Sequence, residues 1–316
     1  GAFALDTETT GLEAMRARLV GISLSPAPGE AYYIPVGHLG HAGQLPLGLV
    51  LERLRPLLES EAVKKTAHNA KYDMVVLARH GVWLRGLQFD TMIAAWLLGE
   101  GGGAGRPGEG ALGLKWLASR HLNVEMTEIT SLIGARGRGQ LSMAEVPVEA
   151  AARYACADAD MSLRLRHALE PRLQERAQER LFYEIEMPLV PVLARMELNG
   201  VAVEAGVLRE MSKTLSEEIK RVEEEIYRAV GHRFNIGSPQ QLSRVLFEEL
   251  KLPKTRRLKS GGYSTDAQSL EELRGAHPVI DLIFDYRELT KLKSTYVHDL
   301  PPWSAGRWRA SKANST

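Results

Sequence analysis

The sequence predicts an α/β domain, a mixed sheet flanked by helices, followed by a mainly α-helical second part. Three observations predict it. Short runs rich in Val, Ile, Leu and Tyr alternate with helix-period stretches through the first half. From Val148 the pattern becomes almost continuously helical. Polar residues cluster at Glu175–Arg180, between the two regimes.

Taken in order, Phe3–Leu5, Leu19–Leu24 and Ala31–Val36 read as the strands of a meander, with turn signals at Thr10-Gly11 and Pro26–Gly29. Leu47–Leu58 carries apolar residues at 47, 50, 51, 54, 57 and 58, a helical period. Val63–Thr66 reads as a further strand. Tyr72–Arg79 and Thr91–Leu98 read as buried helices on either side of the short Leu87–Phe89 run. Gly101–Gly110 has neither the Gly-Lys-Ser/Thr ending of a P-loop nor a G-x-G-x-x-G opening a helix, so it reads as a surface insertion. Ala150–Leu173 and Glu179–Leu198 are helical, the latter stopped by Asn199-Gly200. Val207–Val230 carries several opposite charges at i,i+4, as a solvated helix of a helical pair does. Ser238-Pro239 is an N-cap followed by a first-turn proline, opening a helix over Gln240–Leu250.

Composition narrows the function classes. The 316 residues suit two ordinary domains, and 44% apolar against 25% charged residues supports a packed core. Lys+Arg at 40 against Asp+Glu at 39 excludes a uniformly basic coat, so any nucleic-acid site must be a local patch. One cysteine, Cys156, excludes an internal disulfide framework and a Cys-rich zinc site. No apolar run approaches the roughly 18 residues of a membrane span, and no basic-then-apolar leader opens the chain, so a cytoplasmic setting without membrane contact is expected. The chain opens inside an apolar run without Met, as a piece with upstream sequence missing would.

Three acidic clusters stand out. Asp6-Thr7-Glu8 ends the first strand, and alternation puts both carboxylates on one face. Such a pair is exposed or is neutralised by a cation. Asp73, in Asn69-Ala-Lys-Tyr-Asp73, falls in the first turn of a helix. Tyr154 and Asp158 share a helix face at i,i+4, with Cys156 and Asp160 off that face. Each cluster alone has a plainer explanation: a solvated strand end, a favourable helix-dipole contact, and chance spacing.

Together, their order and spacing resemble the proofreading exonucleases of the DEDD superfamily, in the subgroup with tyrosine. Further motifs are similar to the bacterial DNA polymerase I family (family A): Tyr33-Ile-Pro-Val-Gly-His38, His68-Asn-Ala-Lys-Tyr-Asp73, Phe89-Asp-Thr-Met92, Glu184-Ile-Glu-Met-Pro-Leu-Val-Pro-Val-Leu193, Gln241-Leu, Phe247-Glu, Ser264-Thr265 and Tyr286-Arg-Glu-Leu-Thr-Lys-Leu-Lys-Ser-Thr-Tyr296. The resemblance runs from about Phe3 to Pro301. It implies a ribonuclease H-like 3′-5′ exonuclease domain over residues 1–177 and the start of a polymerase region, mainly its thumb, over 178–302. By the same resemblance residues 303–316 are expected to be a divergent tail, with the palm and fingers missing.

The reaction it implies is hydrolysis of the 3′-terminal phosphodiester of DNA, in replication and repair. Water is a poor nucleophile at neutral pH, and the phosphate is negative. Two divalent ions about 3.5–4 Å apart answer both problems. Mg²⁺ is the expected ion, with Mn²⁺ or Zn²⁺ as substitutes. By the resemblance Asp6 bridges both ions, Glu8 and Asp158 complete the tighter site, Asp73 holds the second ion through water, and Tyr154 orients the attacking water. Leu12 wedges the terminal base, Asn69 lies near the incoming strand, and Met143 stands where an aromatic often stacks on a base. Arg136 and Arg138 are candidates to guide the strand. In the helical half Arg256, Arg257 and Lys259, with Lys291 and Lys293, are candidates for sequence-independent contact with a primer-template duplex. The expected species is a monomer that degrades single-stranded 3′ ends and does not polymerise. Two other readings fit part of the pattern: a ribonuclease D-like RNA-processing nuclease, and a non-catalytic DNA-binding module.

Overall fold

A computed structural model of the chain describes residues 1–100, 112–135, 137, 139–258 and 261–298. The Gly101–Gly110 insertion and the tail from 303 lie outside the described residues. The rest forms two compact units that divide after Gly200.

The first unit is built on a five-stranded mixed sheet of order β3-β2-β1-β4-β5. Its strands are β1 (Ala2–Thr9), β2 (Leu19–Ala27), β3 (Glu30–Pro35), β4 (Lys64–Ala67) and β5 (Leu87–Asp90). The meander pairs antiparallel, and β4 and β5 add to it in parallel on the other side of β1. The most acidic strand end is therefore central. The β1–β2 pairing shifts between Glu8 and Thr9, where the strand stops.

Around the sheet lie α1 (Leu47–Leu58), α2 (Ala70–Arg79), α3 (Thr91–Leu97), α4 (Leu114–Leu122), the single turn α5 (Thr130–Ile133) and the long α6 (Val148–Glu175). After α6 the chain continues as α7 (Glu179–Leu181), a π turn at Phe182–Glu186 and α8 (Met187–Asn199). Gly200 stops it at φ +65°, a conformation glycine adopts without strain. Two apolar layers clamp the sheet. Leu5 and Ile22 pack with Val50, Leu51, Val75 and Val76 on one face. Val20 packs with Ala151 and Tyr154 of α6 on the other. Ala194 of α8 is buried in the first of these layers, so the compact unit runs on to Gly200.

Asp90 fixes how the helices leave the sheet. Its carboxylate accepts backbone N–H bonds from Met92 (2.9 Å) and Ile93 (3.3 Å), capping α3. It also accepts from Asn69 (3.2 Å) and Ala70 (2.7 Å), where α2 begins. Asn69 is left-handed at φ 61°, which turns the chain out of β4 and sets Asp73 in the first turn of α2.

The second unit is helical: α9 (Ala205–Val230), α10 (Pro239–Arg244) with a π continuation at Val245–Glu249, α11 (Ala267–Glu271), α12 (Val279–Lys291) and a π segment at Leu292–His298. Val222 and Ile226 of α9 meet Ile280 and Ile283 of α12 in one core. Apart from buried Leu215, much of the rest of α9 faces solvent, with i,i+4 pairing of Arg221 to Glu225 at 2.9 Å. Ser238 caps α10 by accepting from the Gln241 N–H. No periodic pattern in the sequence bounds α4, α11 or α12. Each is short or lies next to a glycine-rich or basic stretch, where weak periodicity is easily diluted.

Replacing Asp90 by Ala leaves four backbone N–H groups, that of Ala70 buried and those of Asn69, Met92 and Ile93 part-buried, short of an acceptor. The expected loss is about 3 kcal/mol or more of unfolding free energy. A denaturant titration of the first unit's signal checks it.

Candidate active site

The alternation of β1 sorts its last residues between two helices. Asp6 and Glu8 share the face turned to α6, whereas Thr7 turns to α2. One carboxylate oxygen each from Asp6, Glu8 and Asp158 lie within 4.8 Å of one another. Gly21 stands opposite Glu8 on β2. A Cβ there would meet the Tyr33 hydroxyl at 2.1 Å, so glycine lets the Tyr33 ring cross the strand.

Asp73 is beside this trio. Its Oδ1 accepts from the Thr7 backbone N–H at 3.1 Å and from the Thr7 hydroxyl at 2.6 Å. Its charge is felt at Asp6 and Glu8. On α6, Tyr154 stands one turn before Asp158, and its hydroxyl helps hold that carboxyl down against burial. Asp160 points away, accepting from the Gly29 N–H at 2.7 Å and pairing with Arg164.

Burial and mutual repulsion govern the protons here. Loss of water raises the Asp6 carboxyl well above its ordinary range, with Glu8, Asp73 and Asp158 adding to the shift. Burial and then Asp158 push Glu8 up to about 8. Burial pushes Asp73 up to about 7 against the pull of its Thr7 bonds. Asp158 is raised by burial and lowered by Lys115. Burial and the surrounding carboxylates raise the Tyr154 phenol, so at neutral pH it is a hydrogen-bond donor and not a base. An all-oxygen set of crowded carboxylates fits hard divalent ions such as Mg²⁺ or Mn²⁺, whose charge relieves the repulsion.

Three participants were not singled out in the sequence. Thr7 locks Asp73. Tyr72 bonds Thr9 and the Gly11 carbonyl, pinning the turn after β1. Lys115 of α4 reaches both Asp158 oxygens at 2.9 and 3.2 Å. The middle residue of Asp-Thr-Glu and the neighbour of Asp73 were visible as motif members; nothing local marks Lys115.

The remaining candidates are placed variously. Leu12 is 83% exposed in the turn just past β1, and Asn69 is exposed at the start of α2. Met143 is only 4% exposed and shares a buried cluster with Tyr154, Val20 and Ala151. Arg136, Arg138 and Lys259 lie outside the described residues. Arg256 and Arg257 are exposed, Arg256 pairing with Asp266 at 3.0 Å. Lys291 is exposed at the end of α12, and Lys293 is half-buried in the π segment.

Residues 1–174 match the family model described as 3′-5′ exonuclease, and 205–311 match DNA polymerase family A. The chain belongs to the 3′-5′ exonuclease family. That membership makes it a hydrolase of the nuclease class, of the kind carried within DNA polymerase I. It is 46% identical over 307 residues to DNA polymerase I of Chloroflexus aurantiacus, covering 95% of this chain and 31% of that protein. It is 39% identical over 304 residues to DNA polymerase I of Pseudomonas aeruginosa, covering 94% of this chain and 32% of that one. The chain thus spans about a third of the length of these relatives. A solved structure described as the POL domain of Pol1 from M. smegmatis in complex with DNA primer-template and dNTP superposes with a TM-score of 0.77 at 29% identity, over 98% of this chain and 48% of that one. Among the described residues no helix is long and apolar enough to cross a membrane.

The raised carboxyl pKa values carry a stability consequence with a definite sign. The folded state binds more protons than the unfolded one wherever pH lies between the two pKa values. The contribution of these two carboxyls to metal-free stability is therefore greatest below about pH 4 and falls as pH rises from 4.5 toward 8 for Glu8, and from 3.8 toward 7 for Asp73. In EDTA, the melting temperature of the first unit should drop by several degrees between about pH 5 and 8.5. Saturating Mg²⁺ should recover most of it, because ion binding replaces the protons.

Proposed function

We propose that the first unit removes nucleotides from DNA 3′ ends by hydrolysis supported by two divalent ions. The carrying observation is the trio of Asp6, Glu8 and Asp158 oxygens within 4.8 Å, with Asp73 beside it and Tyr154 one turn before Asp158. Asp6, between the other carboxylates, suits a bridging ligand. Glu8 and Asp158 suit the tighter position, and Asp73, held back by Thr7, suits an outer one reached through water. Bound there, the ions would lower the pKa of water and stabilise negative charge on the attacking and leaving oxygens. Tyr154 keeps its proton and aims a hydrogen bond, so its role is to orient the nucleophile. Exposed Leu12 stands at the turn after Glu8, well placed to wedge under a terminal base, and exposed Asn69 stands at the start of α2.

The second unit is read as a thumb that grips duplex DNA without regard to sequence, through exposed Arg256, Arg257 and Lys291. The M. smegmatis structure, solved with primer-template, supports this reading. The 316 residues by themselves are proposed to trim ends and hold duplex without adding nucleotides. DNA substrates place the work where the chromosome is, in the bacterial cytoplasm. The helical match to DNA polymerase family A favours this lineage over a ribonuclease D-like enzyme, and the intact carboxylate set weighs against a purely DNA-binding role.

Replacing Asp158 by Ala should lower Mg²⁺-dependent release of nucleoside monophosphates from labelled single-stranded DNA more than about a hundredfold, while the fold persists. Full activity in that variant would refute the assignment, and faster cleavage of structured RNA ends than of DNA would shift it to the RNA-processing reading. Neutralising Arg256 and Arg257 together should weaken duplex binding alike for all sequences and reduce its log–log salt slope by about 1–2. An unchanged slope would remove the thumb role.

A further inference from the structure

Among the described residues, Lys115 is the cation that opposes burial at Asp6, Glu8 and Asp158 together. Its ammonium lies 2.9 and 3.2 Å from the two oxygens of Asp158 and 4.2 Å from the centre of the Tyr154 ring. The pair is largely shielded, with side chains 17% and 11% exposed. Lys115 is not a loose surface chain. It sits in the first turn of α4, whose Leu114, Leu117 and Ala118 are buried against Leu165 and Leu169 of α6. The helix that carries Asp158 is thus packed against the helix that delivers its counter-ion.

We propose that Lys115 is a positioning residue of the nuclease centre: it neutralises Asp158 and braces Tyr154 before a divalent ion arrives, and it must yield Asp158 when the ion binds. The inference rests on reading the trio as an ion centre. An ammonium is a compact point charge that engages both Asp158 oxygens, and a dication on the same carboxylate repels it. Ion uptake is then an exchange of cations, and the apparent affinity is the intrinsic one reduced by the cost of moving Lys115. The face of Tyr154 gives the displaced ammonium a second partner through its π-electrons, so the amine is not left bare. Without Lys115 the ion-free cradle carries more uncompensated negative charge, and the ion meets no competitor.

The test is Mn²⁺ titration calorimetry on the whole chain, with melting curves in EDTA and in saturating Mn²⁺. Lys115→Met and Lys115→Gln should each bind Mn²⁺ about three- to tenfold more tightly than wild type. Both should melt lower in EDTA, and saturating Mn²⁺ should close that gap. Lys115→Arg keeps the charge and the bidentate reach and should bind no more tightly than wild type. Lys115→Gln retains a hydrogen-bond donor to Asp158, so it provides the comparison should Lys115→Met fail to fold. Wild-type or weaker Mn²⁺ affinity in the neutral variants overturns the exchange. So does tighter binding in Lys115→Arg, because the effect would then not be one of charge. A wild-type chain that takes up no Mn²⁺ would overturn the ion-centre reading itself, and the exchange with it.

Discussion

Carboxylates brought close together away from water repel one another strongly, and the first unit is arranged to hold such a group in place. Desolvation is the first cause lifting Asp6, Glu8, Asp73 and Asp158, and the neighbouring site carboxylates add to the shift at Asp6 and Glu8. In a plain structural protein this crowding would be eliminated, because it costs stability and stabilises nothing. Here each carboxylate is restrained by a separate device. Asp73 is held by the Thr7 backbone and hydroxyl. Asp158 is held by Lys115 and Tyr154. Asp6 and Glu8 are held by the rigid centre of the sheet. Strain of this kind, concentrated at one end of one strand, is what an ion-dependent centre needs and what a purely structural site avoids.

The rest of the unit can be read as the support for that end. β1 is central, so its terminus is fixed by an antiparallel neighbour on one side and a parallel one on the other. Asp90 gathers four N–H groups and sets the directions of α2 and α3. α6 crosses the opposite face with Tyr154 and Asp158 a turn apart, supported by Met143 and Val20 from below. The turn after β1 is pinned by Tyr72, which leaves Leu12 standing clear of the surface. The second unit follows a different logic. Its core is a helical pairing of α9 with α12, and its charge is spread outward along solvated faces. A net charge of +1 leaves no general attraction to nucleic acid, so affinity in the proposed thumb must come from a few exposed arginines and lysines.

Much of this was legible in the sequence, and the reason differs by element. Apolar runs bounded by turn residues mark β1 through β3, and the 3.6-residue period marks α1, α6 and α9, because each signal is complete within its own segment. The i,i+2 spacing of Asp6 and Glu8 and the i,i+4 spacing of Tyr154 and Asp158 are local geometry, fixed once strand and helix are fixed. The helix stop at Gly200 and the Ser238 cap are likewise backbone requirements written in single residues. α4 escaped because a nine-residue helix beside a glycine-rich stretch carries too few apolar positions to show a period.

The sequence by itself determined which side chains are paired on each element, since alternation and helical pitch act within a few residues. Only the tertiary structure decided that two elements far apart in the chain, β1 and α6, bring their carboxylate oxygens within 4.8 Å. It also decided that Thr7 serves Asp73, that Met143 is enclosed, and that Lys115 joins the centre. Those outcomes depend on how β1, α2, α4 and α6 pack across the sheet. Packing is a property of surfaces meeting, and no spacing along one chain segment encodes it.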